Sequence, residues 1–163
     1  IDVPYYANDY SMNTNTATYV AWNWKANGGT TTTNDASATG VGTIDSVYQA
    51  NTTSGFSIVT WSGTGSAGTI AHGLGAVPKM IVVKTRDSSS NSWIVYHHEM
   101  GASPEDLRMF WDSNDASGTS TDNFNSTAPT STVFSVGDIS ATNGGNNTYL
   151  AYCFAEVPFP TAT

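Results

Sequence analysis

The stretch MIVVKTRDSSSNSWIVYH, residues 80–97, decides the fold class that the sequence predicts. Two apolar segments rich in Val, Ile and aromatic residues occupy 80–85 and 93–97, and the polar residues 86–92 separate them. Short runs of this composition, bounded by turn-forming residues, are typical of β-strands. We therefore predict a β-hairpin at 80–97.

The same strand pattern recurs along the chain at intervals of about ten residues. The predicted strands are residues 56–61, 107–111, 132–136 and 148–157, with a weaker candidate at 43–48. Only Ser103 to Asp106 has the features of a helix start, with Ser as the cap and Pro in the first position. Because no helical crossover pattern of sufficient length is found, we predict an all-β fold. Its expected form is an antiparallel β-sandwich, jelly-roll-like, with Thr-, Ser-, Asn- and Gly-rich turns.

Charge limits the classes of partner that suit this chain. Charged residues make up 11% of the sequence, against roughly 25% in typical soluble domains. The formal net charge is -8, with only five Lys plus Arg. Phosphate binding needs clustered cations, so we predict no nucleic-acid partner, and the same deficit argues against an anionic membrane surface. An acidic, Thr- and Asn-rich surface suits a protein that stays dispersed outside a cell.

Cysteine usage and apolar runs exclude further classes. Cys153 is the only cysteine, so neither an intrachain disulfide nor a cysteine zinc site is possible. Its apolar strand context predicts a buried, unreactive thiol. No run approaches the roughly 18 apolar residues of a membrane span, and the first residues lack the basic end and apolar core of a signal peptide. We expect no membrane insertion and no cofactor.

The low-complexity segment GGTTTTNDASATGVG, residues 28–42, has no apolar residue larger than Ala before Val41. We interpret it as a linker that cannot join a core. On its two sides, TYVAWNWKA at 18–26 matches TYLAYCFAE at 148–156, and such self-similarity indicates a tandem array. We therefore predict four parts: closing strands of a preceding repeat at 1–27, a linker at 28–42, one complete repeat at 43–158 and a tail at 159–163.

Four blocks of the sequence also resemble a known family. They are YVAWNWKANGG at 19–29, SGFSIVTWSGTGSAGTIAHGLGAVPKMIVVKTRDSSSNSWIVYH at 54–97, NSTAPTSTVFSVG at 125–137 and TYLAYCFAEVP at 148–158. In these blocks the chain is similar to a repeated domain of tail-fibre-like and other virion-associated proteins of marine bacteriophages, including cyanophages. The chain departs from the usual pattern of that family between 98 and 111 and again at 159–163.

The resemblance implies a β-rich structural module, strung in tandem along a large phage protein at the virion surface. It transfers no catalytic residue, and we expect a protein that is not an enzyme. Our first hypothesis is a tail-fibre-type module that contributes to host attachment through exposed loops, with a host-surface glycan or protein as the ligand. The alternative is purely architectural, such as a head decoration or fibre-shaft module. We expect other virion proteins and copies of the chain itself as partners, with a trimer as the state that phage fibres suggest.

Trp111 and Phe124 lie beside a polar loop and are the candidate exposed contacts, since aromatic rings offer flat faces for sugar stacking. Asp112 and Asn114, in that loop, complete the predicted binding set. The other aromatic residues in the strand patterns are assigned to the core. The run from Asp112 to Asp115 resembles part of a calcium loop, but the next alternate position is an alanine and no Glu closes it. A solvated turn is the preferred interpretation.

The histidines are assigned structural roles. His97-His98-Glu99 is the one cluster that resembles catalytic chemistry, but neighbours in a strand point to opposite faces, so we interpret it as the polar end of a strand. His72, in a Gly-rich loop, is expected to fix the turn through hydrogen bonds to backbone groups. A glycan-cleaving spike enzyme is the remote alternative, because it needs two carboxylates at one cleft, and the best available pair is Glu99 with Asp106.

Overall fold

The computed structural model describes residues 18–26 and 28–156, and most of its regular structure is β. Helical structure in this part of the chain is limited to one short turn, α1 (Ala36–Thr39), and a 3₁₀ turn at Pro104–Asp106. The predicted all-β antiparallel fold is confirmed. The described strands are β1 (Thr32–Asn34), β2 (Ser46–Asn51), β3 (Phe56–Ser62), β4 (Gly68–Ala71), β5 (Pro78–Thr85), β6 (Ile94–His97), β7 (Leu107–Phe110), β8 (Gly118–Thr119), β9 (Val133–Val136) and β10 (Thr148–Ala155).

Eight of these strands form one antiparallel sheet in the order β1-β2-β3-β10-β5-β6-β7-β8. β5 and β6 pair as neighbours with Val82 opposite Val95, which confirms the hairpin predicted at 80–97. β10, the last described strand along the chain, lies in the centre of the sheet. It pairs with β3 on one side and with β5 on the other, so its alternating side chains contribute to both faces.

The second sheet is the pair β4 and β9, which packs against one face of the large sheet. In the core between them, Trp61 stacks on Tyr149 with 5.4 Å between ring centroids and meets Phe134 edge-on at 5.7 Å. Cys153 belongs to this core, and its burial raises the pKa of the thiol. The predicted burial of this cysteine is therefore confirmed. Jelly-roll connectivity stays a prediction.

The segment 28–42 differs from the linker that we predicted. It contains β1 and α1, and the side chains of Asn34 and Ala36 are buried. The prediction that this segment cannot join the core is wrong because small residues suffice at these positions. Ala36 needs little space, and the Asn34 amide donates a hydrogen bond to the carbonyl of Val41 at 2.9 Å. β1 then extends the sheet by pairing with β2.

Other predictions fall at or beyond the limits of the described chain. Residues 18–26, predicted to be a closing strand, form no strand. Residues 1–17, 27 and 157–163 lie outside the described residues, so the preceding repeat and the tail stay predictions. The sequence pattern does not indicate β4 or β8, because both are short and begin with glycine.

His72 is fully buried and is bound through both ring nitrogens. The backbone N–H of Leu74 donates to Nδ1 at 3.2 Å, so Nε2 carries the proton and donates to the carbonyl of Thr130 at 3.2 Å. The His72 carbonyl in turn accepts from the Ser57 hydroxyl at 2.7 Å. The histidine therefore ties the turn after β4 to β3 and to the loop before β9, as the sequence predicts.

The neutral state of His72 gives the stability a pH dependence. Burial lowers its pKa from 6.5 to about 4, so the unfolded chain takes up the proton first as the pH falls. The contribution of neutral His72 to the free energy of unfolding is complete above pH 6.5 and is lost as the pH falls from 6.5 to about 4. We predict that the free energy of unfolding falls by about 2 kcal/mol more in the native chain than in His72→Gln between pH 7 and pH 5. Urea titrations at both pH values measure this, and equal losses would contradict it.

Candidate functional site

One face of the large sheet points away from β4 and β9, and we call it the outer face. Successive residues of a strand point to opposite sides, so the register of the ladders assigns each residue to one face. Trp93 and Trp111 extend the pattern, since each adjoins a strand and the Trp111 N–H donates to the Trp93 carbonyl. The outward-facing residues are Thr33, Val47, Gln49, Asn51, Phe56, Ile58, Thr60, Ser62, Met80, Val82, Lys84, Trp93, Val95, His97, Leu107, Met109, Trp111, Thr119, Thr148, Leu150, Tyr152 and Phe154.

The outer face carries no carboxylate on its described strands. The chain has 13 Asp plus Glu, and none of them lies in a described strand, so no strand position of either face carries a carboxylate. Asp112 and Glu156 lie just beyond the ends of β7 and β10, at the edges of the face. Lys84 is a cation of this face, and its ammonium donates to the carbonyls of Ser88 and Asn91 in the turn between β5 and β6. The centre of the face is therefore apolar and without negative charge.

Aromatic rings form a continuous row across this face. Trp24 contacts Phe154 edge-on with 5.4 Å between centroids, and Phe56 lies 5.0 Å from Phe154. Phe56 stacks with Tyr152 at 6.1 Å, and Tyr152 stacks with Trp93 at 6.3 Å. Trp111 completes the row, edge-on to Trp93 at 6.4 Å.

This row shields the aliphatic residues that share the outer face. Val82 and Val95 are only 0% and 3% exposed although they point away from the main core. Large neighbouring side chains of the face must therefore cover them. The row is a second apolar layer, and its own outer surface is what meets solvent.

Residues 18–26, which we call the arm, lie across one end of the outer face. The carbonyl of Lys25 accepts hydrogen bonds from the Asn51 amide and the Ser54 hydroxyl, both at 3.1 Å. These bonds hold Trp24 over Phe56. Trp24 nevertheless stays 51% exposed and Trp22 73% exposed, so the arm presents apolar side chains to solvent.

A shallow recess of about 320 Å³ lies beside the arm, lined by Trp93, Trp111, Tyr152 and Asp112. Trp111, 58% exposed, forms one wall of this recess. Asp112 is fixed at the rim because its Oδ1 accepts from the backbone N–H of Trp93 at 3.2 Å. A groove lined in part by Trp22, Ile58 and Trp111 connects the recess to the arm.

The predicted binding residues divide into three groups. Trp111 is exposed, as predicted, and Asp112 lies beside it. Asn114 is exposed on the following loop but does not line the recess. The prediction that Phe124 is an exposed contact is wrong. It is 2% exposed and packs edge-on against Tyr96 at 5.6 Å, because the polar stretch around it folds back over the core.

Two residues of the recess are not predicted from the sequence. Trp93 was assigned to the core, but its register places it on the outer face and leaves it partly exposed. Tyr152 also points outward, because its neighbours in β10, Ala151 and Cys153, occupy the inner positions. The alternation within β10 is the sequence signal that identifies this side chain.

The other candidates have simpler structures. His97 ends β6, and its Nδ1 accepts from the backbone N–H of Glu99 at 3.3 Å, as expected for a strand end. In the loop after Trp111, the N–H of Asp115 donates to the Ser113 hydroxyl. In the described part of the chain, no group of three or more His, Cys, Asp or Glu residues is arranged to hold a metal ion. No described helix is long and apolar enough to cross a membrane.

Comparison with known proteins assigns the chain to a family. The model of a family described as a domain of unknown function (DUF7483) matches residues 4–159, and the chain therefore belongs to that family. The matched region includes the arm as well as every described strand. The comparisons with curated proteins and with solved structures gave no match.

The burial difference between the two predicted aromatic contacts has a measurable consequence. We predict that Trp111→Ala changes the free energy of unfolding by less than about 1 kcal/mol, because the ring is mostly exposed. Phe124→Ala is expected to cost about 3–5 kcal/mol, because it empties a packed position in the core. Urea unfolding of both variants tests the assignment, and a large loss for Trp111→Ala would make that residue structural.

Proposed function

For this DUF7483 chain, we propose that it is a structural, non-enzymatic module of the tail-fibre type at the surface of a phage virion. Within that assembly, its outer face docks against another protein surface. This is the architectural form of the hypothesis drawn from the sequence. The observation that carries it is the apolar aromatic row on a face without carboxylates.

Two properties of the outer face favour a protein partner over a small polar ligand. Exposed apolar patches of this kind are rare on isolated soluble proteins and are typical of interaction surfaces. Trp, Tyr and Met are enriched in the centres of protein interfaces, whereas acidic residues are depleted there. The outer face has this composition, with Trp22, Trp111, Met109 and Tyr152 on it and Asp112 at its edge.

The resemblance of the sequence blocks to virion-associated repeated domains supports the location. It supports an extracellular particle rather than a membrane or nucleic-acid partner, in keeping with the net charge of -8. The same surface supports the proposal of a non-enzymatic role. Glycan cleavage needs two carboxylates across one cleft, and the outward-facing strand positions supply none.

Host attachment is the second candidate, and the recess is the observation that favours it. The ring planes of Trp93 and Trp111 meet at 74° and form a corner, against which one face of a sugar ring can stack. Asp112, fixed at the rim, would accept hydrogen bonds from sugar hydroxyls. Weak binding at many such modules would add up through avidity.

Location in a particle tests the first proposal. We predict that virus particles made from the genome that encodes this chain contain it at several copies each, as counted by quantitative mass spectrometry. Met109→Asp, which puts a carboxylate on the outer face, should reduce the copies per particle by tenfold or more, on the order expected for an unpaired charge buried in an interface. Val77→Asp is the matched control, because Val77 is similarly exposed but lies in the loop before β5.

Three outcomes of that experiment decide the matter. Loss of the Met109→Asp chain alone supports docking through the outer face. Absence of the native chain from the particles would contradict the virion proposal. Equal incorporation of both variants would contradict the outer face as the interface. Binding of the free chain to a panel of bacterial surface glycans, abolished by Trp111→Ala, would then support attachment.

A further inference from the structure

We infer that the partner at the outer face is a second copy of the same chain, held face to face about a two-fold axis. The inference rests on the proposed function, since it names the protein surface that the outer face meets. It depends on three observations: where the charges lie, how the arm is seated, and the shape of the recess beside it.

Charge favours this face for self-association. Two copies with a formal net charge of -8 each repel one another at most orientations. No described strand contains Asp or Glu, so the outer face is a broad strand surface without a carboxylate at its centre. The Lys84 ammonium donates to the carbonyls of Ser88 and Asn91, which hold its charge at the turn between β5 and β6, away from the aromatic row. Face-to-face contact therefore brings together the apolar centres and keeps most acids apart.

The face also presents both a projecting side chain and a recess. Trp22 projects from the arm and is 73% exposed, which makes it a knob. The recess of about 320 Å³ between Trp93, Trp111 and Tyr152, with Asp112 at its rim, is the hole. In a two-fold contact the same patch serves both copies, so the knob of each enters the hole of the other. Trp22 and Trp111 line one common groove, and an axis through this groove satisfies both contacts together.

The seating of the arm indicates what chemistry the face accepts. Trp24, two residues after Trp22, already packs on Phe56 and Phe154 of the same chain. An indole from this segment is therefore a natural ligand for the aromatic row. The knob and its neighbour Val20 remain exposed in one copy, and a second copy supplies the surface that covers the knob.

The first test is sedimentation of the native chain over a range of concentrations up to about 0.5 mM, above the Kd of weak specific contacts. We expect a reversible dimer whose Kd falls as salt is raised, because screening removes the repulsion between acidic copies. Trp22→Ala and Trp111→Ala should each raise the Kd by roughly 30-fold or more, since each removes both symmetry-related contacts. Val77→Ala, outside the face, is the control and should leave the Kd unchanged.

A mixing experiment tests the two-fold geometry directly. Trp22→Ala keeps the hole and loses the knob, whereas Trp111→Ala keeps the knob and damages the hole. A mixed dimer of the two variants retains one of the two contacts, so its Kd should lie midway between the native and single-variant values on a logarithmic scale. Fluorescence labelling of one variant measures the mixed dimer separately from either homodimer.

The results that would overturn the dimer differ from those that would overturn the virion proposal. A chain that stays monomeric throughout, forms a trimer, or dimerises equally well with both alanine variants would overturn the inference. A mixed dimer no tighter than the variant homodimers would also overturn it. Incorporation into virus particles that is sensitive to Met109→Asp would still stand in each case, and would leave docking to a different virion protein as the function of the face.

Discussion

The structure depends on the position of β10 in the middle of the large sheet. This strand pairs along its length with β3 and with β5, so neither half of the sheet is connected to the other without it. Tyr149, Ala151 and Cys153 are fully buried on the inner side. Tyr152 and Phe154 join the aromatic row on the outer side. One alternating strand thereby supplies both the core and the candidate interface.

The two faces of the large sheet differ in how their apolar side chains are covered. On the inner side, β4, β9 and their loops complete a packed core around Trp61 and Phe134. On the outer side, the arm is the one described segment that lies over the sheet. The aromatic rings of the face itself cover the smaller Val82 and Val95. This arrangement protects the ladders but leaves indole surface in contact with water. The exposed row is thus a direct result of a large sheet with one covered face, and it is the physical reason to expect a partner.

The sequence predicts the β class, the hairpin at 80–97 and the role of His72, because strand alternation and turn chemistry are local signals. It does not predict β4 at Gly68–Ala71, whose few residues acquire their strand form through pairing with β9. Phe124 appears exposed in the sequence because its neighbours are polar, and only the fold-back of its loop onto Tyr96 buries it. The aromatic row is equally hidden in the sequence, since its rings come together only when the strands are placed in register. Trp111 and Asp112 were identified through their loop context, and Trp93 required the structure.

We expect the outer face to be covered by protein in the functional assembly. Hydroxyl-radical footprinting, read by mass spectrometry, measures the solvent exposure of Trp22, Met109 and Trp111 in the dilute chain and in the intact assembly. If protein covers this face, oxidation of these three side chains falls sharply on assembly, while Val77, exposed in the loop before β5, reacts at the same rate in both. Unchanged oxidation of Trp22 and Trp111 in the assembly would contradict it.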